Sequence, residues 1–411
     1  MNYQLMKFQK SYKWILVVFV IWPIIDYLLN LKEINLPLLR YLIFTIGALK
    51  IFNIYLKSNK NTQNLPVFPK IILSFCLAWL LIRYMMNISE VFIPNRNYVN
   101  LKSTISGGIL LFLSFYLVNI TTPLPFFKKI LRLGYYLNIL FLLIGIPLFN
   151  FFISDINNGA EMFIRLFYLG NVFLFLLFPY QKTSVNLINT FGFLISLLMM
   201  LIIARRNVVL FQVSCLFFLA LVIIFSNSQI LNKRKPLLII SSLLLLISTI
   251  IFVVIMQFNF DLFFERTSTG LESRETVIEE FYSDFDSTPI DWYIGRGPFG
   301  SFVSLVLATD ENKRYGIENG YLQYVLQSGL LFLIPFILLS ITAMIYGFFR
   351  SKNHLSKVAA ILVLVNLIDM IGFGLPFFGL KYLNLLISFG FCFSSRIRNM
   401  NDIEIKKIIR L

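Results

Sequence analysis

Stretches of about twenty nearly unbroken apolar residues recur along this chain, and that is the length of α-helix needed to cross ~30 Å of hydrocarbon. Composition agrees: of 411 residues 58% are hydrophobic and only 14% charged, with 45 Phe, far from the balance of soluble domains. The strands of a membrane β-barrel would be shorter and would alternate apolar with polar residues, which these runs do not. The chain therefore reads as an all-α polytopic membrane protein, a single membrane domain over 1–411. About twelve transmembrane helices are predicted, over 14–30, 36–56, 71–87, 104–120, 133–153, 163–180, 184–203, 208–226, 237–257, 322–346, 358–376 and 380–395. The first follows Lys7, Lys10 and Lys13 as a signal peptide would. It ends on Asp26 and Asn30 without a small-residue cleavage site, so it reads as a retained helix.

Basic residues orient the bundle. With the amino terminus inside, the inward loops carry Lys57, Lys60 and Lys70, then Lys128, Lys129 and Arg132, then Lys182. They continue with Lys233, Arg234 and Lys235, then Arg350, Lys352 and Lys357, and the tail ends in Lys406, Lys407 and Arg410. This positive-inside pattern makes both the amino and the carboxyl terminus cytoplasmic. Basic loops against anionic membrane lipid account for the net charge of +16, and no nucleic acid partner is implied. Cys76, Cys215 and Cys392 fall inside predicted spans and read as small buried hydrophobes. The single histidine, His354, stands among Arg350, Lys352 and Lys357 and reads as part of an inward, topology-marking loop.

One polar interval is long enough to hold structure of its own, the extracytoplasmic loop 258–319 between spans nine and ten. Its segment "ESRETVIEEFYSDF" sets Val277, Ile278, Phe281 and Tyr282 on one side of a predicted helix, which Thr269 and Glu272 could start with a capping box. Next comes "IGRGPFGSF", with Gly295, Gly297 and Gly300 around Pro298. Such spacing permits positive φ and lets backbone amides approach a ligand, and it also suits an ordinary turn. "SDFDSTPID" offers Asp284, Asp286 and Asp291 but lacks the glycine and distal Glu of a calcium loop, so no metal and no cofactor are expected.

The two faces differ in the type of cation. Lysine dominates the inward set, whereas the outward set has only Lys32, Lys102, Lys313 and Lys381 beside Arg40, Arg83, Arg96, Arg165, Arg205, Arg206, Arg266, Arg274, Arg296 and Arg314. Topology marking is indifferent to that choice; anion binding is not, because the planar guanidinium grips phosphate oxygens in pairs. Arg40, Arg83 and Arg165 lie near outer helix ends, where a cation needs a partner, a function or a path to the interface. Asp26, Glu33 and Asp369 are acids available to pair with them, and Asn366 and Asp369, at i and i+3, share a helix face.

These residues together resemble the O-antigen polymerase and ligase family of polysaccharide-assembly enzymes. The likeness lies in Arg205 and Arg206 at an outer helix end and in a long outer loop containing "SRE" and then "IGRGPFGSF". It continues in "ENGYLQYVLQSGLLFLIPF" entering the next span. It concerns the topology throughout, and its motifs lie between Ala204 and Leu333. The resemblance implies glycosyl transfer at the outer face of the bacterial cytoplasmic membrane. The donor would be a glycan on undecaprenyl pyrophosphate; the acceptor would be a second lipid-linked repeat (polymerase) or a lipid A core sugar (ligase). A chain-length regulator and a flippase are the implied protein partners. Arg205 or Arg206, with Arg274 and Arg296, would hold pyrophosphate, supported by Asn319, Gly295, Gly297, Gly300 and Asp369. Ligases of the family carry a histidine where the loop enters the next helix; here Glu318-Asn319 stand instead, which favours a polymerase.

The chemistry can be argued directly. Attack of a sugar hydroxyl on an anomeric carbon needs a base, for which Glu318 is the candidate. It also needs the charge growing on pyrophosphate to be stabilised, which fixed arginines, Arg274 among them, can do without a metal. A carboxylate at the lipid–water boundary suits a substrate whose isoprenoid tail remains in the membrane, although a helix dipole alone would also favour an acid there. A flippase for the same lipid-linked sugar is the alternative from another class. Transporters favour internal repeats, broken helices and midplane sites, whereas no repeat is apparent and the polar residues here collect at one face.

Overall fold

The computed structural model describes residues 66–87, 124–145, 163–164, 172–202, 206–225, 275–305, 312–372 and 380–411, with a few isolated positions. It is mostly helical. The longer helices are α1 (Val67–Met86), α2 (Leu124–Gly145), α4 (Thr183–Ile202), α5 (Arg206–Phe225), α9 (Leu330–Phe349), α10 (His354–Gly372) and α11 (Leu380–Phe393). Shorter elements are α3 (Val172–Leu176), the loop helices α6 (275–286) and α7 (Ile290–Ile294), α8 (Gly320–Ser328), and the tail helices α12 (Ser395–Asn399) and α13 (Asp402–Ile409). Strands β1 (Phe302–Val303) and β2 (Lys313–Arg314) pair antiparallel, Phe302 opposite Arg314. The predicted spans 14–30, 36–56, 104–120 and 237–257 lie outside the described residues.

Three of the described helices are long and apolar enough to cross a membrane: the Thr183–Met200 part of α4, Leu330–Phe349 and His354–Gly372. α9 shows why the composition is so extreme. Phe332, Phe336, Leu339, Ala343 and Gly347 face the protein, while Leu331, Ile334, Leu338, Ile341, Ile345 and Phe349 form a bare apolar stripe at steps of three or four. Both faces are apolar because one meets protein and the other suits lipid. α10 and α11 are central instead: α11 is buried at nearly every position, and α9 and α5 pack on α10. Aromatic rings knit the far side, Phe127 of α2 lying 4.9 Å from Phe173 and 4.8 Å from Phe391.

Two elements differ from the sequence expectation. α2 begins at Leu124, so Lys128, Lys129 and Arg132 belong to a helix and not to a loop before residue 133. The predicted span 322–346 is two helices broken at Gly329, whose φ of 70° and ψ of −179° end α8. The rings of Tyr324 and Phe336 are 5.3 Å apart, whereas twelve residues of continuous helix would separate them by ~18 Å. The chain therefore folds back at Gly329, and α8 packs against α9 instead of extending it.

Candidate functional site

The end of the bundle that carries the 275–305 loop is built around this helix break. A helix that stops among packed neighbours leaves its last carbonyls without intrahelical partners. Here Leu326 O accepts the Arg296 N–H at 2.7 Å, Gln327 O accepts the Gly297 N–H at 3.1 Å, and Ser328 O accepts the Trp79 indole N–H at 2.7 Å. The backbones approach so closely that a Cβ on Gly329 would lie 2.0 Å from Tyr293 O, and one on Gly295, at φ 72°, would lie 2.6 Å from Ser328 N. Only glycine fits either place. Arg83 of α1, 5% exposed, donates from Nη2 to Gly295 O at 2.7 Å and ties the same turn to α1.

The glycine-rich segment thus has a role different from the one its sequence suggests. Gly295 N–H donates to Asp291 O, Gly297 N–H to Gln327 O and Gly300 N–H to Gly297 O, so all three amides are engaged within the protein. Only the Gly297 amide meets the α8 terminus; the other two close turns within the loop itself. Arg296 is committed in the same way. Its Nε donates to Asp291 at 2.7 Å, Nη1 pairs with the Asp284 carboxylate and with Ser301 O, and Nη2 reaches Asp284 O. The guanidinium also lies 4.5 Å from the centre of the Phe285 ring. Burial pulls its pKa down, but the Asp291 and Asp284 carboxylates outweigh this and hold it above the ordinary arginine value. Arg296, expected to contact pyrophosphate, is placed as a clamp joining α6, α7 and the residue that leads into β1, with two carboxylates on its fork.

Glu318 is exposed and sits one residue before the N-cap of α8. Asn319 is that cap: its Oδ1 accepts the N–H groups of Tyr321 at 3.0 Å and Leu322 at 3.1 Å, and its Nδ2 donates to Ile371 O at 3.3 Å. Gln323 reaches back to accept the Ile317 N–H at 2.8 Å, and Tyr321 donates its hydroxyl to Leu367 O at 2.7 Å. The carboxylate is therefore carried on a chain segment fixed from both sides to the end of α10.

Asp369, one turn from that end, pairs with a lysine and not with one of the outward arginines. Lys381 of α11 contacts it at 2.7 Å, and the same ammonium lies 3.8 Å from the centre of the Phe211 ring of α5. Phe211 is five residues, ~7.5 Å of helix, from the start of α5 at Arg206. Glu318, Asn319, Asp369, Lys381 and the Arg206 end of α5 consequently share one end of the bundle. Arg205, Arg274, Arg40, Arg165, Thr269 and Glu272 lie outside the described residues.

At the opposite end His354 is not in a loop. It opens α10, buried to 1% exposure, with Nε2 3.0 Å from Leu176 O and its backbone N–H donated to Asp402 at 2.8 Å. Tyr180 donates its hydroxyl to the same carboxylate, and Asn353 binds the carbonyls of Ile397, Arg398 and Met400. The cluster anchors the carboxyl-terminal helices on the bundle. The legible signal for it was the Asn401-x-x-Glu404 capping box that starts α13. Lys381, Trp79 and the clamp role of Arg296 had no signal, since each depends on a partner remote in sequence.

Compared with protein-family models, with curated proteins and with solved structures, the chain matches none.

Proposed function

We propose that this protein is a metal-independent membrane glycosyltransferase that joins undecaprenyl-pyrophosphate-linked oligosaccharide repeats, a polysaccharide polymerase of O-antigen, capsule or exopolysaccharide assembly. It works within a twelve-span, inner-membrane topology with the 258–319 loop and the active site facing outward. The observation that carries the reading is the exposed Glu318 carboxylate, held by the Asn319 cap at the bundle end where α5 begins with Arg206. In this reading Glu318 takes the proton of an acceptor sugar hydroxyl as its oxygen bonds to the donor anomeric carbon. The bond from that carbon to pyrophosphate breaks, and the charge that leaves is held by Arg205 or Arg206 and by Arg274. Arg296, the three glycines and Asp369 position the loop and helix ends and stay out of contact with the reacting atoms.

Against the ligase alternative stands the lone histidine, which is buried among Leu176, Tyr180 and Asp402 at the far end of the bundle. The helix break at Gly329 is the kind of feature that transporters use to coordinate ions. Here the Leu326, Gln327 and Ser328 carbonyls are taken by the loop and by Trp79, which removes its force as an argument for a flippase.

The test is polymer length. The gene is deleted in its host and complemented with wild type, Glu318→Gln, Arg274→Ala and Arg205→Ala, with membrane levels checked, and surface polysaccharide is resolved on a gel. A deletion that leaves single repeats, unrescued by the variants, is the expected result. Lipid-linked polymer accumulating outside would identify a ligase, and single repeats trapped inside would identify a flippase; either overturns the proposal.

A further inference from the structure

The 275–305 loop holds an aromatic pair, exposed Tyr282 on half-buried Trp292, that the reaction above does not use. α6 is amphipathic: Val277, Phe281 and Phe285 are buried, while Glu275, Glu279, Tyr282 and Asp286, at i, i+4, i+7 and i+11, form an exposed stripe. The sequence pattern set Tyr282 with the buried group; it is 44% exposed, and Phe285 takes the inner place. Tyr282 stacks on Trp292 of α7, with ring centroids 5.5 Å apart and planes 28° from parallel. Trp292 is fixed from behind by Phe281 at 5.9 Å and Phe285 at 5.4 Å, both edge-on, and from the side by its indole N–H, which donates to Asp286 Oδ1 at 3.0 Å. Tyr293 beside it is 57% exposed. Stacked on a half-buried and braced Trp292, the Tyr282 ring offers its outer face as a flat apolar surface, with Glu279 and Asp286 one turn of helix away on either side.

Charge decides what such a surface fits. Between residues 275 and 292 stand six acids and no Lys or Arg; Arg296 pairs with Asp284 and Asp291, which leaves Glu275, Glu279 and Asp286 on the exposed stripe. A helix resting on a bacterial membrane carries basic residues that meet anionic headgroups, and this one would be repelled. The acids of the stripe likewise disfavour phosphate at Tyr282 itself. A pyranose ring suits both features, because its C–H face lies against aromatic rings and its hydroxyls donate to carboxylates.

We propose that Tyr282, backed by Trp292, forms a stacking platform for a sugar ring of the glycan, a role distinct from that of the arginines proposed to hold pyrophosphate. This rests on the polymerase reading for the identity of the glycan. It is not a catalytic device: it would hold the chain between additions and so set how long the polymer grows.

The experiment uses the full chain in nanodiscs. The probe is the host's own surface polysaccharide, released by mild acid and fractionated by size, with binding measured by calorimetry. Tyr282→Ala should weaken binding roughly five- to tenfold while Tyr282→Phe retains it. In cells Tyr282→Ala should shorten the polymer without abolishing it. Binding by Tyr282→Ala within twofold of wild type overturns the platform. So does quenching of the Trp292 emission by brominated lipid, read as the difference from Trp292→Phe, because the ring would then lie in the bilayer. The two readings separate cleanly: an unchanged ladder in the deletion strain removes the polymerase, whereas a collapsed ladder with normal Tyr282→Ala binding removes the platform alone.

Discussion

Arg296 shows how a single side chain can be misjudged from its type. A guanidinium in a glycine-rich outer loop suggests phosphate; in the fold it bridges Asp284 and Asp291 and covers Phe285. The bidentate geometry is what lysine cannot reproduce. Arg296→Lys should therefore loosen the loop by about 1–3 kcal/mol, read as amide hydrogen exchange on residues 296–303 that is faster by roughly ten- to a hundredfold. Unchanged protection would mean that the clamp contributes nothing. Asp402 makes the converse case at the other end, where it accepts from Tyr180 Oη and from His354 N. Asp402→Ala strands two buried donors, at a cost of about 1–3 kcal/mol. Trypsin should then cut at Lys406 and Lys407 faster in the variant than in wild type, and equal rates would show that the tail is held by its apolar contacts alone.

Among elements, the broken helix α8–α9 has the most to explain. Its sequence, "GYLQYVLQSGLLFLIPF", is apolar enough to read as one continuous span, and the glycine within it is by itself only a weak signal of a break. The reversal is possible because Gly329 adopts a conformation open to glycine alone and because the loop and Trp79 take up the α8 carbonyls. Gly329→Ala should cost about 3 kcal/mol or more, from backbone strain together with collision against Tyr293 O. Gly316→Ala is the matched control, since a Cβ there meets only Gln323 Oε1 at 3.7 Å. Thermal denaturation in detergent should separate the two variants clearly. Similar melting for both would mean that the turn at Gly329 relaxes freely.

On the scale of the whole molecule, orientation is the property to test. The three native cysteines are buried, so an introduced thiol can be labelled over a low background. A cysteine at Ser283, exposed on α6, should react with a membrane-impermeant maleimide in intact cells, and one at Lys407 should react only after permeabilisation. Labelling in the reverse order would invert the topology and place Glu318 on the cytoplasmic side.

What the sequence determined on its own was the class of molecule, a mostly helical chain with helices apolar enough to span a membrane. Apolar runs of span length, the distribution of lysine, and the Asn319 and Asn401 caps are local signals that need no partner to be read. The tertiary structure alone decided which polar groups are engaged. Arg296, Gly295, Gly297, Asp369 and His354 each resemble a ligand-binding or solvent-facing residue until the fold supplies Asp284, the end of α8, Lys381 and Asp402. The physical reason is that burying a charge or a backbone amide demands a partner, and here most of those partners come from elements distant in the chain that meet only when the helices pack.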